Sequence, residues 1–568
     1  MAVRERFYPR YDPGMSTIST PVRLAPVAQN RSRTFSIPSV PRRFICLAFL
    51  LGFSALINEF VASKMSTTMD EPHHLLYGMH ILEGQPDRLY KGYFDSQMPI
   101  SALNAVPGAV ASYLTRHHLL PRLSMALSGL EAERFPTIFA TLALDLLVYL
   151  WAYDLYGTYA ALTACLLCVI SPSLIAHGTL VTTDMYCALG VVGAMYLFRR
   201  FLLLPTTANA IMSSLALALA QITKPFALSL YAVVAVVLAL LMFRRIASGF
   251  WTARRVFVFA SIAAASFVAI LNVAYCFDRT FKPLGSYSFE STSFERVAHA
   301  HFIHRLPVPV PYPFLEELDM ASHDEKVGLT FGNVYLLGEL GNATDESFHG
   351  FKSYYVVALF FKEPIGMMIL FLCGVAWICK NRSFLDFLTA EGLLLAPAAI
   401  VFIWLSFFNR AQVGIRHILP VLAVETIIAG ATFTRFSSKS RVQKALLAAL
   451  VLWVVVSVGS YYPNMIPYMN EWVHDRRLSY KVLADSNLDW GQDSAVVEDF
   501  MRKNPDVILD PPAPRAGRIL VRANRLTGVS RWSPSLNYLA QHYKPVAQVG
   551  YAHFLFVVPA EDMPPRQP

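Results

Sequence analysis

The chain has 568 residues, of which 55% are hydrophobic and only 15% charged, and its mean hydropathy is +0.42. Soluble domains carry roughly 25% charged residues, so the composition excludes a soluble globular protein and points to one built within a bilayer. The net charge of +9 does not imply nucleic acid, because its distribution along the chain follows membrane topology.

Residues 1–43 hold eight Arg and no Lys, against Glu5 and Asp12 as the acids, and so carry +6 of the total. They lack the basic n-region, apolar h-region and small-residue cleavage site of a signal peptide. Their Ser, Pro and Arg content predicts a disordered cytosolic tail. Apolar runs of spanning length follow near 44–62, 135–155, 158–176, 184–204, 207–224, 226–243, 256–276, 356–379, 386–407, 415–434 and 443–462, eleven candidate spans. Basic residues mark alternate connections: Arg199 and Arg200, Arg244, Arg245, Arg254 and Arg255, Lys380 and Arg382, then Arg435, Lys439, Arg441 and Lys444. The N-terminus is therefore expected inside and, with an odd span count, the C-terminus outside. All seven cysteines lie in or beside spans, so no disulfide framework is expected in the outer segments. Cys165 and Cys168 form a CxxC within an apolar helix, a setting for packing rather than redox chemistry.

Three long segments then fall outside. The first, 63–134, contains TTMDEPHHLL (67–76) and the amphipathic ISALNAVPGAVASYL (100–114), which suits an interfacial position. The second, 277–355, carries LPVPVPYPFLEELD (306–319), whose prolines are expected to preclude a regular helix. The third, 463–568, reads as a small α/β domain in β-α-β-α-β order: KVLAD, SAVVEDFMRK, RILVRAN, PSLNYLAQHY and AHFLFVVP. No tandem repeat is visible. Three large segments on one side imply that a polar partner is handled there.

Polar residues gather where these segments meet the spans. In TTMDEPHHLL, Pro72 suits a first helical position and Thr68-x-x-Glu71 resembles a capping box. Equally, Asp70 and Glu71 are paired carboxylates at a membrane edge. His73 and His74 offer two metal ligands without a spaced third, so a divalent metal is unsupported. Asp184 ends LVTTD at the outer end of a span, where an acid costs about 2.5–3.5 kcal/mol on insertion scales. It is either an interfacial acid paired with a nearby base or a second carboxylate facing Asp70. Lys224, Lys362, Arg410, Arg416 and His417 place positive charge on outer ends, against the positive-inside tendency. An anionic lipid phosphate would account for them, as would snorkelling to headgroups. DSNLDWGQD (485–493) presents Asn487, Asp489, Trp490 and Gln492, residue types that line carbohydrate sites and that also favour a strand-to-helix turn.

The ordered set of LVTTD, LAQITKPFAL, FKPLGSYSF, LPVPVPYP, YLLGELG, FFKEP, GIRHILPV and DSNLDWGQD, following the Asp70-Glu71 pair, resembles the GT-C superfamily of lipid-carrier-dependent glycosyltransferases. The resemblance runs from about residue 44 to 558. Specifically, it is to bacterial relatives of the protein O-mannosyltransferases (glycosyltransferase family 39) and to aminoarabinose transferases. It implies a polytopic α-helical membrane protein of about eleven spans with a small extracytoplasmic α/β domain. It also implies an inverting transfer of one sugar, mannose foremost, from a polyprenyl-phosphate donor to a hydroxyl of a protein, lipid or glycan, with no required cofactor. By that resemblance Asp70 is the general base, Glu71 and Asp184 orient the base or acceptor, and Lys224, Lys362, Arg416 and His417 stabilise the leaving phosphate. A bacterial inner membrane is implied, with the active site and C-terminus extracytoplasmic. The chain departs from the pattern at DSQMP (95–99), where many bacterial relatives carry His-Pro-Pro, and has no region resembling the long β-trefoil insert of the eukaryotic enzymes. Two rival readings are a glycan ligase or polymerase using an oligosaccharide-lipid donor, and a secondary transporter, which predicts an internal repeat.

Overall fold

The computed structural model describes residues 41–89, 97–243, 252–327, 332–345, 347–530 and 535–562. The expected disordered tail, up to residue 40, lies outside them, as do Arg244, Arg245 and the first two residues of DSQMP. The chain is a polytopic, mostly helical membrane protein. Seven described helices are long and apolar enough to cross a bilayer: Arg42–Lys64, Leu130–Tyr156, Asp184–Leu203, Pro225–Phe243, Ala253–Ala274, Ile415–Phe433 and Arg441–Gly459. Two further spans are broken helices, Thr158–Val169 with Pro172–Gly178, bent by 60°, and Tyr354–Lys362 with Ile365–Asn381, bent by 112°. Pro172 and Pro364 stand at the two breaks, each removing a donor and excluding the residue before it from helical geometry. The expected spans 207–224 and 386–407 are the shorter apolar helices Thr207–Ala220 and Glu391–Phe407, 14 and 17 residues long. By length and composition the count among the described residues is therefore at most nine.

Small residues let these helices approach closely. A Cβ on Gly374 would collide with the backbone of Ile428, so Ile365–Asn381 and Leu419–Gly430 meet backbone to backbone. Cys165 and Cys168 are both buried and free.

Two extramembrane expectations are corrected. The prolines of 306–319 do not exclude a helix: they precede one, Tyr312–Val327, with Pro313 in its first turn, where a missing N–H is unimportant. KVLAD is not a strand. It follows a 3₁₀ segment, Arg476–Lys481, and contributes only a single bridge, Leu483 to Leu336. A hairpin of β1 (Val334–Leu336) and β2 (Glu339–Gly341) supplies that partner. The C-terminal sheet instead uses β3 (Val507–Leu509), β4 (Gly517–Arg522), β5 (Ala547–Val549) and β6 (His553–Val558) in the order β3-β4-β6-β5, parallel at the first pairing and antiparallel elsewhere. Alternation along β4 sends Ile519 and Val521 to one face, among Leu488, Leu526 and Phe554. Leu520 goes to the other, under Val497 of the helix Ser494–Lys503. Both faces of the sheet are thus covered.

The amphipathic 100–114 stretch is the helix Ala102–Arg116. Leu103, Val106, Val110 and Tyr113 on it are exposed, while Asn104, Ala105, Ala111 and Leu114 are buried.

Candidate active site

The chain leaves the first span at Lys64 and turns into the helix Glu71–Leu82, with Pro72 as the second residue of its first turn. Asp70 occupies the cap position, yet its side chain makes no cap hydrogen bond. It is spent elsewhere. Its Oδ2 accepts from Arg416 Nη1 at 2.6 Å and its Oδ1 from the Trp490 indole N–H at 3.3 Å. The Arg416 guanidinium lies 4.2 Å above the Trp490 ring, so one arginine is held at once by a carboxylate and a π face. Burial alone would raise the Asp70 carboxyl, but Arg416, His74 and the indole donor outweigh it and hold it below the ordinary carboxylate value.

Asp184 opens the helix Asp184–Leu203 and pairs directly with Lys224. Its other oxygen is 3.9 Å from Arg416 Nη1. Asp184 is thus a paired acid, and Arg416 lies between it and Asp70. Exposure separates the carboxylates. The Asp70 side chain is 28% exposed and Asp184 only 2%, so in this cluster it is Asp70 that presents an open face. His417 is the residue after Arg416 and is half-buried beside the same charges.

Glu71 is sealed away from any ligand. Its carboxylate takes Arg134 Nε at 2.8 Å and Nη2 at 2.7 Å, the Thr68 N–H at 2.9 Å and the Val181 N–H at 3.0 Å. Arg134 donates its other protons to the carbonyls of Ala62, Met65 and Ser66 at 2.7, 2.9 and 3.0 Å. One guanidinium thereby closes the end of the first span, where carbonyls lack helical partners, and grips the loop that carries Asp70. The capping-box reading contains part of this: Glu71 reaches back to Thr68, as an N3 acid does, but its main partner is a buried arginine.

Lys362 is 2% exposed, and its ammonium donates to the carbonyls of Ile466 at 2.5 Å and Asn487 at 2.7 Å. It supports the DSNLDWGQD segment. That segment is a knot more than a surface. Asn487 accepts from the Ile415 N–H at 2.9 Å and donates to Tyr354 Oη at 2.9 Å, which fixes the backbone next to Arg416. Asp489 accepts weakly from the Gly491 and Asn524 N–H groups. Gln492 accepts from the Trp490 N–H and donates to the Leu488 carbonyl. The knot pairs with the Asp70 loop through Ser66 N–H to the Gln492 carbonyl and Met69 N–H to the Trp490 carbonyl, both 3.0 Å. Asn487, Asp489, Trp490 and Gln492 are all buried, so the expected contact with a sugar finds no exposed face here. Asp485, at the start of the knot, has φ +57°, and burial pushes its carboxyl up to about 7.

Sequence reasoning passed over Arg134 and His177. Arg134 stands one residue before the expected span 135–155, and a base at a span's outer end is the same signal that drew notice to Lys224. His177 lies within the broken span, its ring 5.7 Å from Trp490. Arg410 sits away from the cluster, donating a long bond to the Asp345 carbonyl. Among the described residues no group of three His, Cys, Asp or Glu side chains is arranged to hold a metal.

No family model and no curated protein matches the chain. Among solved structures it is similar to ArnT from Cupriavidus metallidurans bound to undecaprenyl phosphate, at 13% identity and a TM-score of 0.47, covering 90% of this chain and 97% of that one. It is also similar to the Archaeoglobus fulgidus oligosaccharyltransferase tethered with an acceptor peptide, at 16% identity and a TM-score of 0.43, covering 72% of this chain and 54% of that one.

Proposed function

We propose that the protein is an inverting glycosyltransferase that moves a single sugar, mannose first among candidates, from a polyprenyl-phosphate donor to an acceptor hydroxyl at the extracytoplasmic face. The observation that carries this reading is the open carboxylate of Asp70, a few residues beyond a span and ion-paired to Arg416. A donor whose tail stays in the bilayer brings its reactive bond to that depth.

In this reading the acceptor oxygen attacks the anomeric carbon as the bond from that carbon to the phosphate oxygen breaks. The electron pair leaves with the polyprenyl phosphate, and the acceptor proton passes to Asp70. A carboxylate suits a transfer that occurs late, as oxocarbenium character develops. The phosphate is a competent leaving group, so charge stabilisation matters more than protonation. Arg416 lies at the centre of the arrangement. A phosphate arriving beside it competes with Asp70 for the guanidinium, and loss of that ion pair raises the basicity of Asp70 only when donor is bound. Asp184 holds Lys224 and steadies Arg416 from behind. Glu71, Arg134, Lys362 and Asn487 position the two loops.

The test is transfer itself. Membranes bearing the full chain are incubated with radiolabelled polyprenyl-phosphate mannose, and label is followed from the lipid into an acceptor fraction. Movement of label supports the reading. Retention with mannose and with other single-sugar donors contradicts it.

A further inference from the structure

The segment between the helices Ala253–Ala274 and Tyr312–Val327 takes no part in the arrangement around Asp70. It folds back on itself. The Phe281 N–H donates to the Val308 carbonyl at 2.8 Å, Val308 N–H to Lys282 at 3.1 Å, Leu284 N–H to Leu306 at 3.0 Å and Gly285 N–H to His304 at 2.8 Å. The two arms pack so closely at Gly285 that a Cβ there would stand 3.1 Å from the Cβ of His304. Against this hairpin opens a cavity of about 440 Å³, within the size range of ligand sites. Its charged and titratable lining is His299, His301, His304 and Arg305, joined by Ser286, and among the described residues no carboxylate takes part.

That lining decides the class of ligand. His304 has both ring nitrogens committed, Nδ1 to the His301 carbonyl at 2.9 Å and Nε2 to Arg305 Nε at 3.2 Å. It is not free to bind a metal, and it holds Arg305 in place. Cationic and donor groups without an acid suit a phosphate.

The rim supplies the second half of the argument. Phe302 is 90% exposed, Leu306 55% and Val297 51%. Phe277 and Phe281, each 62% exposed, follow within seven residues of the end of a spanning helix at Ala274, so the hairpin lies at the depth of the headgroups. Tyr275 and Phe314, at its two ends, pack on Tyr77 and Ile81 of the helix that Asp70 precedes, so the hairpin belongs to the Asp70 end of the bundle. Exposed large apolar side chains around a basic pocket are the features of a surface that meets anionic lipid.

We propose that this hairpin is a docking site for an anionic phospholipid. The cavity takes the headgroup phosphate, while Phe302, Leu306 and Val297 enter the acyl boundary. The site is independent of the reaction assigned to Asp70.

The full chain, purified in detergent, would be titrated with phosphatidylglycerol or phosphatidylcholine and bound lipid counted by native mass spectrometry. Phosphatidylglycerol is retained several-fold better by the wild type. In a His299→Ser/His301→Ser/Arg305→Ser variant that preference falls by about fivefold or more, as expected for losing at least one full basic charge at a lipid surface. A Phe302→Trp variant in nanodiscs with brominated chains shows quenched tryptophan emission at position 302 relative to the parent background. Equal retention of the two lipids, an unchanged preference in the triple variant, or an unquenched Trp signal each overturns the proposal. Binding of inorganic phosphate that the triple variant loses, together with equal retention of the two lipids, would assign the cavity to a free anion and overturn lipid docking.

Discussion

Replacement of Glu71 by Gln changes one atom at a carboxylate that receives four donors from three directions. Whichever way the amide is turned, its NH₂ faces two donors, one of them an Arg134 nitrogen. Arg134 also keeps its full charge at 1% exposure. Removing one member of a buried pair typically costs about 3–5 kcal/mol, because the other charge is left uncompensated. Arg134→Met does more harm. It strands the carboxylate and leaves three carbonyls, those of Ala62, Met65 and Ser66, each worth about 1–3 kcal/mol if unsatisfied. In the double variant no buried charge remains, so its loss should fall short of the two single losses added together by about 3 kcal/mol or more. Thermal unfolding of the four proteins in one detergent, followed by fluorescence-detected size exclusion, gives the comparison. Strict additivity would refute the account of Arg134 as a clamp on the Asp70 loop. So would a Glu71→Gln protein as stable as the parent.

In the donor-free protein Asp70 is held below the ordinary carboxylate value, so it is ionised at neutral pH and the acid limb of kcat/KM, which reports the free enzyme, should have its midpoint below about pH 4. Arg416→Gln removes the opposing charge and leaves the burial. The acid limb of the pH–rate profile should then move upward by about 1–3 units, and an unmoved limb would contradict the pairing. Gly414 has φ +141°, and a Cβ there would run into the Ser486 side chain. Gly414→Ala should therefore displace Arg416 and lower kcat at near-normal expression; an unaffected kcat would show that the knot does not set Arg416. Lys362→Met removes two donors from the Ile466 and Asn487 carbonyls, and the loss should appear in thermal stability more than in the KM for donor.

How much of this was legible beforehand depends on whether the signal lies in residue type or in pairing. The apolar runs were readable because a bilayer demands one composition over one length. The shortness of Thr207–Ala220 was not, since it depends on how neighbouring helices receive it, whereas the bend after Lys362 is marked in the sequence by Pro364. Asp70, Asp184, Lys224 and Arg416 stood out as charges where charge is disfavoured, and the structure brings those four together. DSNLDWGQD stayed open between a turn and a sugar site because Asx, Gln and Trp serve both, and the burial of the four residues is not visible in their types. Arg134 escaped notice because three of its partners are backbone carbonyls, which leave no trace in residue identity. KVLAD has strand composition, but Leu483 finds only the end of β1 beside it. In LPVPVPYP the last proline falls in the one turn of a helix that tolerates it.

The central claim is that Asp70 accepts the acceptor's proton. It is tested most directly by comparing sugar transfer from polyprenyl-phosphate mannose in membranes carrying the wild type and Asp70→Asn at equal expression. The substitution keeps the size of the side chain and removes its basicity. Loss of transfer by about 10²–10⁴-fold, the range for removing a general base, is the predicted result. Transfer within a few-fold of wild type would contradict the assignment and move the base to another residue of the cluster, Asp184 first.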